Sequence, residues 1–532
     1  MVDAPRADDL TSPSPRARRE GHLFTTDVVR AELRTRSVRS SAVTVASRGA
    51  QMLVLLGSAM ILARVLSPSD FGVQAMVLPI AFLAKNLGNL GLQSAVINRE
   101  SLNSDDANAL FRYALRANLV VAGTMALLAP LLARFYHEPR VTGIALLWAA
   151  TLYGTTFSSV QEALLKRQMR FGVVMKAQLT AVSVSVLVAL AAAMAGWGYW
   201  SLMLQVTVME ITRVAIIWVV CPWRPSRTVA DNTGEAVSAV RRYWVGLSTS
   251  RVVSWIGDQL DRIIVGSIGG ATVAGLYDGA KRWAGMAFQE LYMSLSDVAV
   301  GSLSRVREEH DRYRVYLRNV FLPILSLAVP VMAFMFVEAR QVLHVLLGDQ
   351  WLDADGFVRM MCIATFAGTA GKLMWWVYMS LEQTDRQLRW TLVTTPVNVL
   401  AVLVGAQQGA YGVAVAVAIA NVVLAVPSLW YGLRFSPVAL GECLTIFSRP
   451  VTAAVTAALV VWILGARLPD LRPEILALAV RFALFGLVYL TMWIALPGGL
   501  AAWRNILSGF SELKSRRVHD SAAAGALAES TT

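Results

Sequence analysis

The chain has 532 residues, 56% of them hydrophobic and only 16% charged, with a formal net charge of +13. A soluble chain of this length carries far more charge, so the composition excludes a soluble globular protein and points to a polytopic membrane protein without a sizeable soluble domain. Lys and Arg gather at the ends of apolar segments on alternate connections, which is a topology signal rather than the footprint of a nucleic-acid binder.

Residues 1–40 are polar and hold eight arginines but no apolar core, so they are read as a basic cytoplasmic tail touching anionic lipid. Apolar stretches of about 20 residues, the length that crosses a bilayer, then recur. Fourteen are predicted, near 42–63, 72–96, 113–134, 141–163, 172–195, 199–220, 244–268, 275–298, 315–337, 355–380, 389–406, 411–432, 450–466 and 475–496. Even-numbered connections carry Arg99 and Arg112, Lys166 to Arg170, Arg224 to Arg242 and Arg305 to Arg314, whereas odd-numbered ones such as SPSDFG, GWGY and QQGAYG are short and poor in charge. That bias puts both termini and the even connections in the cytoplasm, and the chain is expected in the inner (plasma) membrane.

The second segment carries Lys85 near its middle, and Gln74, Lys85, Asn89 and Gln93 fall on one face of a helix that Pro79 can kink. A bare ammonium in hydrocarbon costs about 2.5–3.5 kcal/mol on insertion scales, so Lys85 is expected to face other helices or water. Residues 221–243 form the longest connection and read as a cytoplasmic linker between two six-helix halves, 41–220 and 244–435. The halves echo one another: SPSDFGVQA answers GATVAGLYD, FYHEPR answers LLGDQW, and GYWSL answers AYGVA. Two halves with even numbers of crossings share one orientation and would be related by a pseudo-two-fold along the membrane normal. Residues 450–497 have no counterpart and read as an appended helix pair, followed by a cytoplasmic tail over 498–532. The expected fold is thus an all-α integral membrane protein of about fourteen transmembrane helices.

LARVLSPSDFGVQAMV, NLGLQSAVINRE, LLARFYHEPRV and LDRIIVGSIGGATVAGLYDGAKR, in that order, resemble the bacterial polysaccharide flippases of the Wzx type. These belong to the superfamily of multidrug, oligosaccharidyl-lipid and polysaccharide exporters. The resemblance covers roughly residues 42–435. It implies two six-helix bundles around a central cavity, and movement of an undecaprenyl-diphosphate-linked oligosaccharide from the cytoplasmic to the outer leaflet. It also places an acidic residue where this chain has Asn89.

Away from segment ends the cations are Arg48, Lys85, Arg213, Arg251, Arg262, Lys281, Arg282 and Lys372, and the acids Glu210, Asp258, Asp261, Glu290 and Asp297. The surplus suits a diphosphate, whose oxygens match the guanidinium fork. Arg48, Lys85, Asn89, Arg251 and Arg282 are therefore expected to bind substrate. Helical spacing predicts ion pairs between Asp258 and Arg262, Glu210 and Arg213, and Asp278 and Arg282. Glu290 has no basic residue three or four positions away, and with Asp258 and Glu210 it forms the expected set for H+ or Na+ coupling.

Three scattered cysteines and five histidines give no metal spacing and no disulfide framework. No HExxH, GxSxG or phosphate-cradling glycine loop occurs. The chain is read as a flippase without enzymatic activity or cofactor, its partners being the lipid-linked oligosaccharide, membrane lipids, the coupling ion and other proteins of polysaccharide assembly. Two alternatives remain at this stage: a multidrug exporter of the same fold, and a membrane polymerase or ligase of the same pathway.

Overall fold

The punctuation between helices is written in their capping residues. After α1 (Leu33–Val65), Ser67 accepts at Oγ from the Asp70 amide (3.3 Å) while Asp70 Oδ2 accepts from the Ser67 amide and hydroxyl (3.0 and 2.7 Å). This reciprocal cap, with Pro68 at the first helical position, starts α2 (Pro68–Asn89) abruptly. Asn103 and Asp106 repeat the device at α3 (Ser104–Tyr136). The FYHEPR turn follows, where His137 adopts the left-handed conformation and Arg140 grips Glu138 with two nitrogens at 2.8 and 2.9 Å. That hydrogen-bonded guanidinium holds the Glu138 carboxyl below its usual range.

The computed structural model describes residues 33–89, 96, 102–226, 234–465 and 474–496, and every element among them is helical. The chain continues with α4 (Arg140–Arg167), α5 (Phe171–Met194), α6 (Tyr199–Val220) and α7 (Gly234–Arg305). Then come α8 (His310–Val337), the short α9 (Ala339–Leu347), a 3-10 turn (Asp349–Ala354), α10 (Asp355–Ser380) and α11 (Thr384–Ala406). The last three are α12 (Gly409–Leu433), α13 (Leu440–Gly465) and α14 (Glu474–Ala495). Eleven helices among the described residues are long and apolar enough to cross a membrane. The sequence gives fourteen stretches because it splits α7 and includes two others. The described apolar part of α1 is short, and α10 carries Asp355, Arg359 and Lys372.

Contacts divide the chain into two units, residues 1–66 with 77–252, and 67–76 with 253–532. In the first, α5 lines up Ala177, Ala181, Ser185 and Ala189, four apart and all buried, and packs on α6 and α1. Lipid tails are as apolar as Leu, so membrane helices gain by close approach of small residues rather than by expelling water. A cluster around Phe111, Leu164 and Trp223 closes one end of this unit, where the buried Arg167 donates to the Val96 carbonyl at 2.9 Å.

In the second unit, α7 breaks at Gly270, whose φ of 69° and ψ of −172° a residue with a side chain would adopt only under strain. The break turns one 72-residue helix into two limbs. The second limb receives the start of α2 backbone against backbone: a Cβ on Gly72 would lie 1.6 Å from the Ala271 carbonyl oxygen, and one on Gly275 would lie 1.9 Å from that of Pro68. The two echoing turns noted in the sequence therefore pack on one another. Helices α13 and α14 dock in the same unit through Arg481, which pairs with the buried Glu338 at 2.8 Å, and through Tyr489, which donates to the Ser326 carbonyl. The expectations for residues 1–32, 90–95, 97–101, 227–233 and 498–532 lie outside the described residues.

Gly72→Ala is expected to destabilise the protein by about 3 kcal/mol or more, because the neighbour is backbone and cannot rotate away. Gly123→Ala, inside α3 at a site open for 4 Å, should leave stability unchanged or raise it by up to about 1 kcal/mol. Thermal unfolding in detergent distinguishes them, and equal melting of both would refute the close contact.

Candidate functional site

Among the described residues, one cluster of helix-interior charges stands out in each unit, beside the Arg481–Glu338 pair. In the first, Glu210 of α6 uses its two oxygens for two cations: Oε2 accepts from Arg213 at 2.8 Å, and Oε1 from Lys85 of α2 at 3.4 Å. Arg213 also pairs with Glu162 of α4, which in turn takes Lys166 at 2.7 Å. The ladder Lys85–Glu210–Arg213–Glu162–Lys166 thus joins three helices and carries three positive charges against two negative.

The second cluster spans the break in α7. Arg262 and Asp278 each stand eight residues from Gly270, on opposite limbs, and meet at 2.8 Å. Asp278 divides its oxygens as Glu210 does, Oδ1 accepting from Arg262 and Oδ2 from Arg282, both at 2.8 Å. Asp261 accepts from Lys281 (2.5 Å) and from Tyr277 (2.7 Å). Arg262 also donates to Gln259 at 2.7 Å. Asp258 is exposed, with Lys281 and Lys372 its principal opposite charges. Lys372 of α10 lies 5.5 Å from the centre of the Phe288 ring, a cation–π contact. Phe288, Tyr292 and Trp376 stack behind it, and Trp376 donates to Ser296 at 2.7 Å.

Exposure is distributed unevenly in both clusters. The Lys85 and Arg282 side chains are 47% and 44% exposed, while their partners Glu210 and Asp278 are 9% and 5% exposed. The buried arginines of each fork, Arg213 and Arg262, are 17% and 16% exposed. Each fork therefore shows a cation outward and hides its carboxylate.

The predicted pairs fare differently. Glu210–Arg213 and Asp278–Arg282 form as spaced. The expected Asp258–Arg262 pair does not: Arg262 turns across the hairpin to Asp278, because the bend at Gly270 brings the other limb within reach. Lys85, without an acidic neighbour on its own helix, finds Glu210 at a sequence distance of 125. Glu290 is exposed and makes no hydrogen bond or ion pair among the described residues. The side chains of Arg48, Asn89, Arg251 and Asp297 lie outside them. Glu162 escaped the sequence reading because Lys166, its partner at i+4, was counted with the loop. Among the described residues no group of His, Cys, Asp and Glu could hold a metal.

The described residues form an all-helical membrane protein with ion-pair clusters inside its helices. The chain matches the family "Polysaccharide biosynthesis protein" over residues 61–355 and belongs to it. It is 26% identical to the succinoglycan biosynthesis transport protein ExoT of Rhizobium meliloti over 426 residues, covering 78% of this chain and 85% of that one. It is 18% identical to the lipopolysaccharide biosynthesis protein WzxC of Escherichia coli, over 66% of this chain and 72% of the relative. Among solved structures it shares a fold with the lipid II flippase MurJ in an inward closed conformation: TM-score 0.67, 14% identity, 87% of this chain and 100% of that one. An inward-facing multidrug transporter of the MATE family follows at TM-score 0.57 and 15% identity, over 76% and 99%. The protein is a transporter, not an enzyme.

Asp278→Asn strands two arginines that share one buried carboxylate, so it is expected to destabilise the fold by about 3–5 kcal/mol. Asp353→Asn, outside both clusters, should be near neutral. Chemical denaturation in detergent reads the difference, and a neutral Asp278→Asn would mean the fork is solvated.

Proposed function

We propose that this protein moves an undecaprenyl-diphosphate-linked oligosaccharide from the cytoplasmic to the outer leaflet of the inner membrane by alternating access. Family membership and the transport relatives support a polysaccharide precursor as cargo. The observation that carries the reading to a diphosphate is the outward-facing cation of each fork, Lys85 and Arg282. A diphosphate carries its charge on the very group that must cross the membrane, and arginine and lysine offer it hydrogen-bonded counter-charge without proton exchange. Arg48 and Arg251 complete the substrate set on the sequence argument. In this reading the chain has two six-helix halves, 41–220 and 244–435, with 450–497 appended.

Ion coupling is assigned to Glu290, which is exposed and unpaired among the described residues. Glu210 is already engaged by Lys85 and Arg213, and its part is to hold them. Asp258, facing Lys281 and Lys372, is the second acid available to a cation.

Deletion of the protein should leave a lipid-linked glycan on the cytoplasmic leaflet, and restored export is the assay. Lys85→Ala and Arg282→Ala, at normal protein level, should each lower export by about tenfold or more, since truncating one contact to a buried charge typically costs a few kcal/mol. Glu290→Gln should keep export while removing its dependence on the ion gradient. Full, gradient-dependent export by all three would sink both assignments.

We also propose, from the distribution of Lys and Arg along the sequence, that both termini lie in the cytoplasm. The native cysteines Cys221, Cys362 and Cys443 are buried and give little background. Thr272→Cys should therefore react with an impermeant thiol reagent from outside the cell, and Ser226→Cys should not. The reverse labelling would invert the topology and the direction of transport.

A further inference from the structure

The arginines of both charge clusters spend their guanidinium groups on carboxylates. A different arrangement occurs in the second unit, where α11 begins and α12 ends. There the Arg386 guanidinium carbon stands 3.3 Å from the centre of the Phe435 ring. Arg434, the residue that ends α12, stands 5.4 Å from the same ring and 5.3 Å from that of Trp430. Hydrogen bonds fix this shelf: Gln383 donates to the Phe435 carbonyl at 3.2 Å and accepts from Arg386 at 3.3 Å. Arg389, exposed, lies at the same end of α11. Among the described residues Arg386 and Arg434 are thus held by rings and an amide, not by a carboxylate. Of the two acids in this stretch, Glu382 is taken by Arg307 at 2.6 Å and Asp385 is exposed.

A guanidinium paired with a carboxylate has used its N–H edge. One set over a ring has used its face and keeps the edge for oxygen acceptors. Arg386 and Arg434 address one ring, so a single phosphate group can span both. The adjoining surface sets the depth. Ile419, Val422, Val426, Trp430 and Arg434 follow at spacings of three, four, four and four, and all are exposed. They form one helix face that passes from aliphatic to aromatic to cationic. Trp430 and Phe435, each about half-exposed, mark the level of the lipid headgroups. The complement of this face is an amphiphile with a hydrocarbon chain and a phosphate of net negative charge. We propose that Arg386 and Arg434 bind the headgroup of an anionic phospholipid on the Phe435 shelf, with an acyl chain along the Val426–Val422–Ile419 face of α12. A zwitterionic phospholipid offers the same phosphate but adds an ammonium group, which the arginines repel. The assignment rests on these contacts and not on the transported substrate.

The test uses the full chain in mixed micelles with equal amounts of phosphatidylglycerol and phosphatidylcholine, and native mass spectrometry reads which lipid stays bound. The wild type should retain phosphatidylglycerol in preference. Arg386→Ala and Arg434→Ala should each lower that preference about fivefold, the effect of losing one basic side chain from an anionic lipid surface. Arg434→Gln keeps the side-chain length and gives the same reading if the alanine variant fails to fold. Phe435→Ala keeps every charge but removes the shelf, and it should weaken the preference too. Arg312→Ala, on α8 and paired with Glu309, should leave it unchanged. Excess inorganic phosphate should not displace the lipid, because it brings no chain for the apolar face. The proposal is overturned if the wild type holds both lipids alike, or if the Arg386 and Arg434 variants keep the preference. An equal loss in Arg312→Ala, or none in Phe435→Ala, overturns it as well, since diffuse charge would then explain the binding. Displacement by inorganic phosphate would make this a site for a soluble anion and overturn the lipid assignment.

Discussion

A charge on a membrane helix must find an opposite charge or water, and this constraint shapes both units. Burying an isolated ion is prohibitive, and an ion pair is tolerated only when its remaining hydrogen-bonding capacity is also filled. Glu210 and Asp278 meet that demand in the same way, with each carboxylate oxygen taken by a different cation. Side-chain length does the rest. Aspartate and glutamate are short and stay between the helices. Lysine and arginine are long and carry their heads outward along apolar stems. Near-neutral clusters therefore present positive faces, which suits the anionic cargo proposed for this protein.

The scaffold is built to bring those groups together. Without the left-handed Gly270, α7 would run straight and Arg262 could not reach Asp278. Without glycine at 72 and 275 the start of α2 could not lie against the second limb. Such contacts rest on shape rather than on hydrophobic burial, since the surrounding lipid offers no aqueous alternative. They tolerate little change in volume, while the lipid-facing surface tolerates a great deal. A substitution map of this protein should follow the small residues more closely than the large ones.

Local features were legible in the sequence because short-range geometry decides them. Ser67-Pro68-Ser69-Asp70 announces a helix start, and it forms one. Spacings of three and four place Glu210 beside Arg213 and Asp278 beside Arg282. The same rule misassigned Arg262, since the offer from across the hairpin was the better one. Lys85–Glu210 and Arg213–Glu162 were out of reach, because each joins helices whose register only packing determines. One clue was available. Charges at equal distances from a glycine break, such as 262 and 278 about 270, are natural partners in a helical hairpin.

The forks also limit what kind of ligand can bind. A ligand that takes Lys85 from Glu210 leaves that carboxylate still held by Arg213, and one that takes Arg282 from Asp278 leaves it held by Arg262. The outer cation of each fork can leave without exposing a bare buried carboxylate. The inner arginine is buried beside the carboxylate and stays in place. A ligand with a single negative charge merely replaces one carboxylate by another at Lys85 or Arg282 and gains little. A diphosphate brings more than one charge and many acceptor oxygens, so it can satisfy a freed cation and still accept hydrogen bonds from neighbouring donors. In the proposed reading, the same arrangement lets the cation return to its carboxylate once the cargo departs.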